Sequence, residues 1–175
     1  VPGELKLFYE SGRSVLNRED SINKAEIEKF TNTYEELILF NPSNSLDKIK
    51  ITGQSSPEGG YALNLNLARS RALDARNVIR SVAKQGTFEK DVYTVAPWDS
   101  VVSLLRADGK DEIADNMQSI IEQNPGRNAE DAINKQGAVI RRQSYYADLK
   151  PYLAQLRTVF YEYKMKQFGD MPADM

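Results

Sequence analysis

Hydrophobic and polar positions follow two rhythms in the middle of this chain. Ile49 and Ile51 alternate with Lys48, Lys50 and Thr52, the period of a half-buried strand. Ser55-Ser56-Pro57 and Gly59-Gly60 end that strand, because Pro57 has no N–H for a ladder and the glycines reach positive φ cheaply. Beyond the glycines the rhythm becomes helical. Leu63, Leu67, Ala75, Val78 and Val82 fall on one face, a stripe roughly 120° wide at about 100° per residue. Arg71 lies near the middle of that stripe, and Asn64 lies on nearly the same meridian, about 10 Å nearer the loop. Arg69, Arg76 and Arg80 fall on the opposite face, where cations are expected.

The same patterns extend to both sides. Leu5 to Tyr9 alternates as a first strand, ended by Ser11-Gly12. Asn23 and Glu26 have the spacing of a capping box, and Ile27, Phe30, Tyr34 and Leu37 continue as an amphipathic helix to about Phe40. Asn41-Pro42-Ser43-Asn44-Ser45 is a turn, so strand, helix and strand make a βαβ unit, expected to be right-handed. The second helix should end near Gly86, a C-cap candidate. Val92 to Val95 and Thr158 to Tyr163 are further strands, within 92–95 and 157–165.

Between those last two strands lie about 60 residues, too many for a structureless loop. Trp98, Val101, Val102 and Leu105 form one helical stripe, stopped by Asp108-Gly109. Ile113, Met117, Ile120 and Ile121 form another, stopped by Asn124-Pro125-Gly126. Ala129, Ala132 and Ile133 suggest a short third helix, and Asp148 is placed to cap a last one with Leu153 and Leu156 inward. Trp98 is either a core residue, as its apolar stripe suggests, or an exposed anchor for a partner. The expectation is an α/β (α+β sandwich) domain over 1–168. A mixed four-stranded sheet carries a helical insertion at about 97–156 that packs on it, and 169–175 form a flexible tail.

Composition narrows the chemistry. The chain has 175 residues, no Cys and no His. A Ser-His-Asp triad, a cysteine nucleophile and an ordinary zinc or haem site are therefore excluded. Carboxylate chemistry remains open, but no spacing singles out a pair, so the expectation is no enzyme, no metal and no cofactor. The net charge of −2 gives no general attraction to nucleic acid or an anionic membrane. No apolar run has the length of a membrane span, no signal peptide is apparent, and Val1-Pro2-Gly3 reads as the start of a mature or trimmed chain. Arg71 stays open between two readings. It is a snorkelling or paired core arginine, or a fixed guanidinium beside a helix N-terminus that receives an anionic group.

Gly53, Gly59, Asn64, Leu67, Arg71 and Ala72 stand at the spacing Gly-x5-Gly-x4-Asn-x2-Leu-x3-Arg-Ala. This resembles the OmpA-like peptidoglycan-binding domain, whose signature reads Gly-His-Thr-Asp-x-x-Gly and then Asn-x-x-Leu-Ser-x-x-Arg-Ala. The resemblance also covers the first strand and helix and the closing strand, but not most of 96–156. It is closest to a branch of the family with a Ser-Pro-Glu-Gly loop, here Ser56-Pro57-Glu58-Gly59, and a helical segment opening with Trp, here Trp98.

The resemblance implies a cell-envelope module, periplasmic and outer-membrane associated, that binds the diaminopimelate of peptidoglycan stem peptides without cleaving them. It thereby anchors an outer-membrane or surface protein to the wall. Arg71 would grip the ligand carboxylate, with Asn64, Ser55, Ser56, Glu58 and Gly59 around it. Ser55 and Ser56 stand where the family has Thr and Asp. Ser56 carries no charge for the ligand's ammonium, so Glu58 either takes that role or pairs with Arg71 and fills the pocket. The alternative is a structural or protein-interaction domain of an envelope assembly, with other envelope proteins as partners, that has lost peptidoglycan binding.

Overall fold

In the computed structural model, which describes residues 2–125, 132 and 145–167, strand β2 (Asn44–Ser55) is the one on which the others assemble. Strand β5 (Thr158–Gln167) runs antiparallel along one edge of it, and β1 (Pro2–Phe8) runs antiparallel to β5. The other edge of β2 is shared end to end by β3 (Thr87–Phe88) and β4 (Val92–Val95), both parallel to it. Helix α1 (Ser21–Tyr34) continues into a π-helical turn at Glu35–Leu39, and α2 spans Tyr61–Val82. Helices α3 (Trp98–Ala107), α4 (Asp111–Gln123) and α5 (Tyr145–Leu156) precede β5. The described residues thus form a mixed α/β structure of five helices and an open, mixed sheet of five strands.

Several expectations are corrected. The sheet has a fifth strand, the two-residue β3, because Arg76 and Arg80 hold Phe88 against the helix with their guanidinium carbons 5.1 and 4.6 Å from its ring. Those two arginines are therefore half-buried, Arg76 also pairing with Asp91 at 3.0 Å. The β1-α1-β2 unit is split, since β5 lies between its strands. The cap of α1 is Asp20, which accepts from the N–H groups of Ile22 and Asn23. Asn23 is instead buried inside the helix, where its amide accepts from Phe8 N and donates to Phe8 O, fastening the end of β1. Helix α2 ends earlier than Gly86, with Ala83 at its C-cap. Asp148 lies within the first turn of α5 instead of capping it. The proposed short helix around Ala129 to Ile133, apart from the helical Ala132, and the tail 169–175 lie outside the described residues.

Helices α1 and α2 cover one face of the sheet. Phe30, Tyr34, Ile38, Ala72, Ala75, Val78 and Ile79 meet Leu5, Leu7, Ile49, Ile51, Val159 and Tyr161 there. Gly53 is required where α2 crosses β2, because a Cβ at that position would stand 2.1 Å from the carbonyl oxygen of Ala68. The alanines facing the sheet rotate the buried arc of α2 away from the expected leucine stripe. Ala68 is buried, whereas Leu63 is 63% exposed. The far face of the sheet presents Lys6, Lys48, Lys50, Glu162 and Lys164. Such a face cannot be sealed by apolar helices without desolvating its charges. Accordingly, among the described residues, the insertion leaves the part of that face with Lys48, Lys50, Glu162 and Lys164 uncovered. It builds a core of its own from Trp98, Val101, Leu105, Met117, Tyr152 and Leu153, and meets Phe8 and Phe160 across an open cleft of about 330 Å³. Trp98 is a core residue.

Candidate functional site

At the C-terminal end of β2 the chain turns sharply into α2, and a cavity of about 150 Å³ opens there. All six residues singled out from the sequence line it: Ser55, Ser56, Glu58, Gly59, Asn64 and Arg71. The turn is held from inside. Asn64, one turn into α2, donates its amide to the carbonyl of Glu58 at 2.9 Å. Ser55 donates its hydroxyl to the carbonyl of Asn64. Gly59 adopts φ +97°, which a side chain would strain, and Gly60 sits at the N-cap of α2 without a side chain to cap it.

Arg71 is 1% exposed and among the largest fully buried side chains. Its Nε donates to the carbonyl of Arg13 at 2.9 Å, and Nη2 to that of Glu10 at 3.3 Å. Nη1 donates to the carbonyl of Gln54 and to Ser55 Oγ. The guanidinium carbon also lies 5.5 Å from the Tyr9 ring centre. Among the described residues no carboxylate stands within ion-pair distance of it. Burial, and then the neighbouring charge of Arg157, pull its pKa down to about 10. Arg71 is therefore a core arginine satisfied by carbonyl dipoles, and its charge is not cancelled. Tyr9 and Asp74 complete the support. The Tyr9 hydroxyl donates to Asp74 at 2.9 Å, and that carboxylate also accepts from Leu16 N, which draws the segment after β1 over the arginine.

The expectation that Glu58 pairs with Arg71 is corrected, because its carboxylate pairs with Arg157 instead. Its Oε1 accepts from Ser56 Oγ at 2.8 Å and from Arg157 Nη1 at 2.9 Å. Ser56 thus orients the acid two residues on. Arg157 is the site residue that periodicity did not point to. It lies between α5 and β5, and its backbone carbonyl accepts from Tyr9 N at 2.9 Å. Nothing local in the sequence around Arg157 signals that position, since its partner lies 99 residues earlier. Ser11 and Gly12 form the remaining wall, and Leu63 and Leu67 give it an apolar side.

Counting charges on the cavity wall gives two guanidinium groups against one carboxylate. The open space thus lies beside an excess cation, with hydroxyl and amide groups near it, which suits a small anionic group. Among the described residues no three acidic side chains cluster as metal ligands. No model of a known protein family matches the chain, and no curated protein matches it either.

Proposed function

We propose that this chain is an OmpA-like cell-envelope module that binds peptidoglycan stem peptides without covalent chemistry, through the cavity between β2 and α2. The observation that carries this reading is the excess of cation on a cavity wall that gathers Ser55, Ser56, Glu58, Gly59, Asn64 and Arg71 with Arg157, two arginines against one carboxylate. A stem peptide offers free carboxylates that such a wall would neutralise, each charge-assisted hydrogen bond contributing about 1.5–3 kcal/mol. The module would then hold an outer-membrane or surface protein to the cell wall from the periplasmic side, with no turnover and no cofactor. The test is sedimentation with purified peptidoglycan, wild type beside Arg71→Ala and Arg157→Ala. Wild type should co-sediment and at least one variant should not.

A second reading is favoured by one specific observation. Every nitrogen of the Arg71 guanidinium already donates to a carbonyl or hydroxyl oxygen, and Glu58 is already paired. Both are compatible with an interaction domain that has kept the framework and lost the ligand. Equal, salt-insensitive recovery of wild type and both variants in the supernatant would favour that reading.

A further inference from the structure

The cleft between the helical insertion and the far face of the sheet shares no lining residue with the arginine cavity. At about 330 Å³ it has the size of a small-molecule site. Its walls are apolar: Phe8 and Phe160 from the sheet, Leu104 from α3 and Leu156 from the end of α5. Lys6, Gln155 and Thr158 add three polar side chains. The end of α5 is fixed above the sheet by two bonds. Gln54 Nε2 donates to Leu156 O at 3.0 Å, and Tyr9 N donates to Arg157 O at 2.9 Å. Phe160 is left 37% exposed beneath it. Two residues along β5 the face turns charged, with Glu162 opposite Lys50 and then Lys164 opposite Lys48.

The polar part of the lining decides what fits. Lys6 has no carboxylate within ion-pair distance among the described residues, so its ammonium is open to an anion. The backbone around the cleft is already engaged. Strand β5 is paired on both sides, by β1 and by β2. On the outer edge of β1, Glu26 accepts from Lys6 N, and the Asn23 amide takes both Phe8 N and Phe8 O. A peptide laid here would find few partners for its own amides, and unpaired amides are costly to desolvate. An apolar chain with a single anionic head needs only the walls and the lysine.

We propose that this cleft binds a medium-chain aliphatic carboxylate, with the chain between Phe160 and Leu104 and the head group on the Lys6 ammonium. Gln155 offers the head a second donor. The site is made jointly by the sheet and the insertion, and it stands independently of the stem-peptide reading.

The experiment is an amide NMR titration of the isotopically labelled full chain with octanoate, octanol and N-acetylleucinamide. Octanoate should shift the amides of Leu104, Gln155, Leu156 and Phe160 saturably and leave those of Gly59 and Asn64 in place. Phe160→Ser removes one wall and should weaken both octanoate and octanol by about fivefold. Leu104→Gln removes the facing wall with the same expected effect, and it decides the matter if Phe160→Ser fails to fold in a thermal melt. Lys6→Gln should weaken octanoate by about threefold, the scale of an exposed ion pair, and leave octanol unchanged. Lys164→Gln, which removes a lysine of the same face outside the cleft, should leave both unchanged. No shift with octanoate, shifts centred on 55–71, or wild-type affinity in both wall variants overturns the site. Equal effects of Lys6→Gln on octanoate and octanol overturn the head-group assignment. N-acetylleucinamide binding as tightly as octanoate would make the occupant a peptide side chain and overturn the carboxylate.

Discussion

Replacing Gly53 by alanine tests whether close approach of α2 to β2 builds this cavity. Gly53 lies inside the sheet, opposite Tyr93 on β4 and Val159 on β5, so β2 cannot shift to make room. The new Cβ would stand 2.1 Å from the carbonyl oxygen of Ala68 and 3.1 Å from the Ala72 methyl. A carbon and a carbonyl oxygen are comfortable at about 3.3–3.6 Å, so α2 has to retreat by about 1 Å or more. The obstacle is backbone, and no rotamer change relieves it. The cost should therefore reach the upper end of overpacking, about 3 kcal/mol. For a domain of this size that corresponds to a fall in melting temperature of about 6–12 °C.

Ala68 lies on α2 between Asn64 and Arg71, so both move with it. The Arg71 bonds to Gln54 O and Glu10 O, each already 3.3 Å, would pass beyond bonding distance. Thermal denaturation followed by circular dichroism measures the effect, with Gly60→Ala as the control. That position has φ −74° and open space around a Cβ, so its melting temperature should stay within about 2 °C of wild type. If Gly53→Ala also melts within about 2 °C of wild type, α2 is not held against β2 as described.

Two further outcomes follow from the corrected tie between α1 and β1 and from the buried tyrosines. Asn23→Ala leaves Phe8 N and Phe8 O without their side-chain partner and should cost at least about 2 kcal/mol in urea denaturation, whereas Glu26→Ala, whose carboxylate accepts from Lys6 N at 3.3 Å, should cost under about 1 kcal/mol; equal costs would restore the capping-box reading. Burial, and then the neighbouring Tyr163, raise the pKa of Tyr161. Its contribution is therefore complete below the unfolded value of about 10, and above it the unfolded chain alone releases the proton, so stability falls by up to about 1.4 kcal/mol per pH unit. Tyr161→Phe should flatten the decline above pH 10 by about that much in a series of denaturation curves, and an unchanged slope would contradict the assignment.

The strand, the glycine turn and the helix around residues 49–82 were legible because each rests on local rules. Alternation places Ile49 and Ile51 inward, Pro57 and the glycines break the ladder, and a 3.6-residue repeat carries Arg71 onto the buried face. The same local rules left Asn23 looking like a cap. Its buried role depends on the end of β1, 15 residues earlier in the chain, coming within reach of its amide. Leu63 looked buried because a helical wheel contains no information about where the covering sheet ends. The structure turns Gly53 and the alanines toward each other and leaves that leucine at the cavity rim.

What the sequence by itself determined is the set of groups whose geometry is local: the loop, Asn64 one turn beyond it, and an arginine two turns further along the same face. What only the tertiary structure decided is how the charges are partnered. Arg71 is satisfied by carbonyls from the segment after β1, and Glu58 meets a cation from the far end of the insertion. Neither pairing has a sequence period, because both form where separate segments converge on the end of β2. In a low-dielectric cavity the nearest opposite charge outweighs any pattern along the chain, and that neighbour is chosen by the fold.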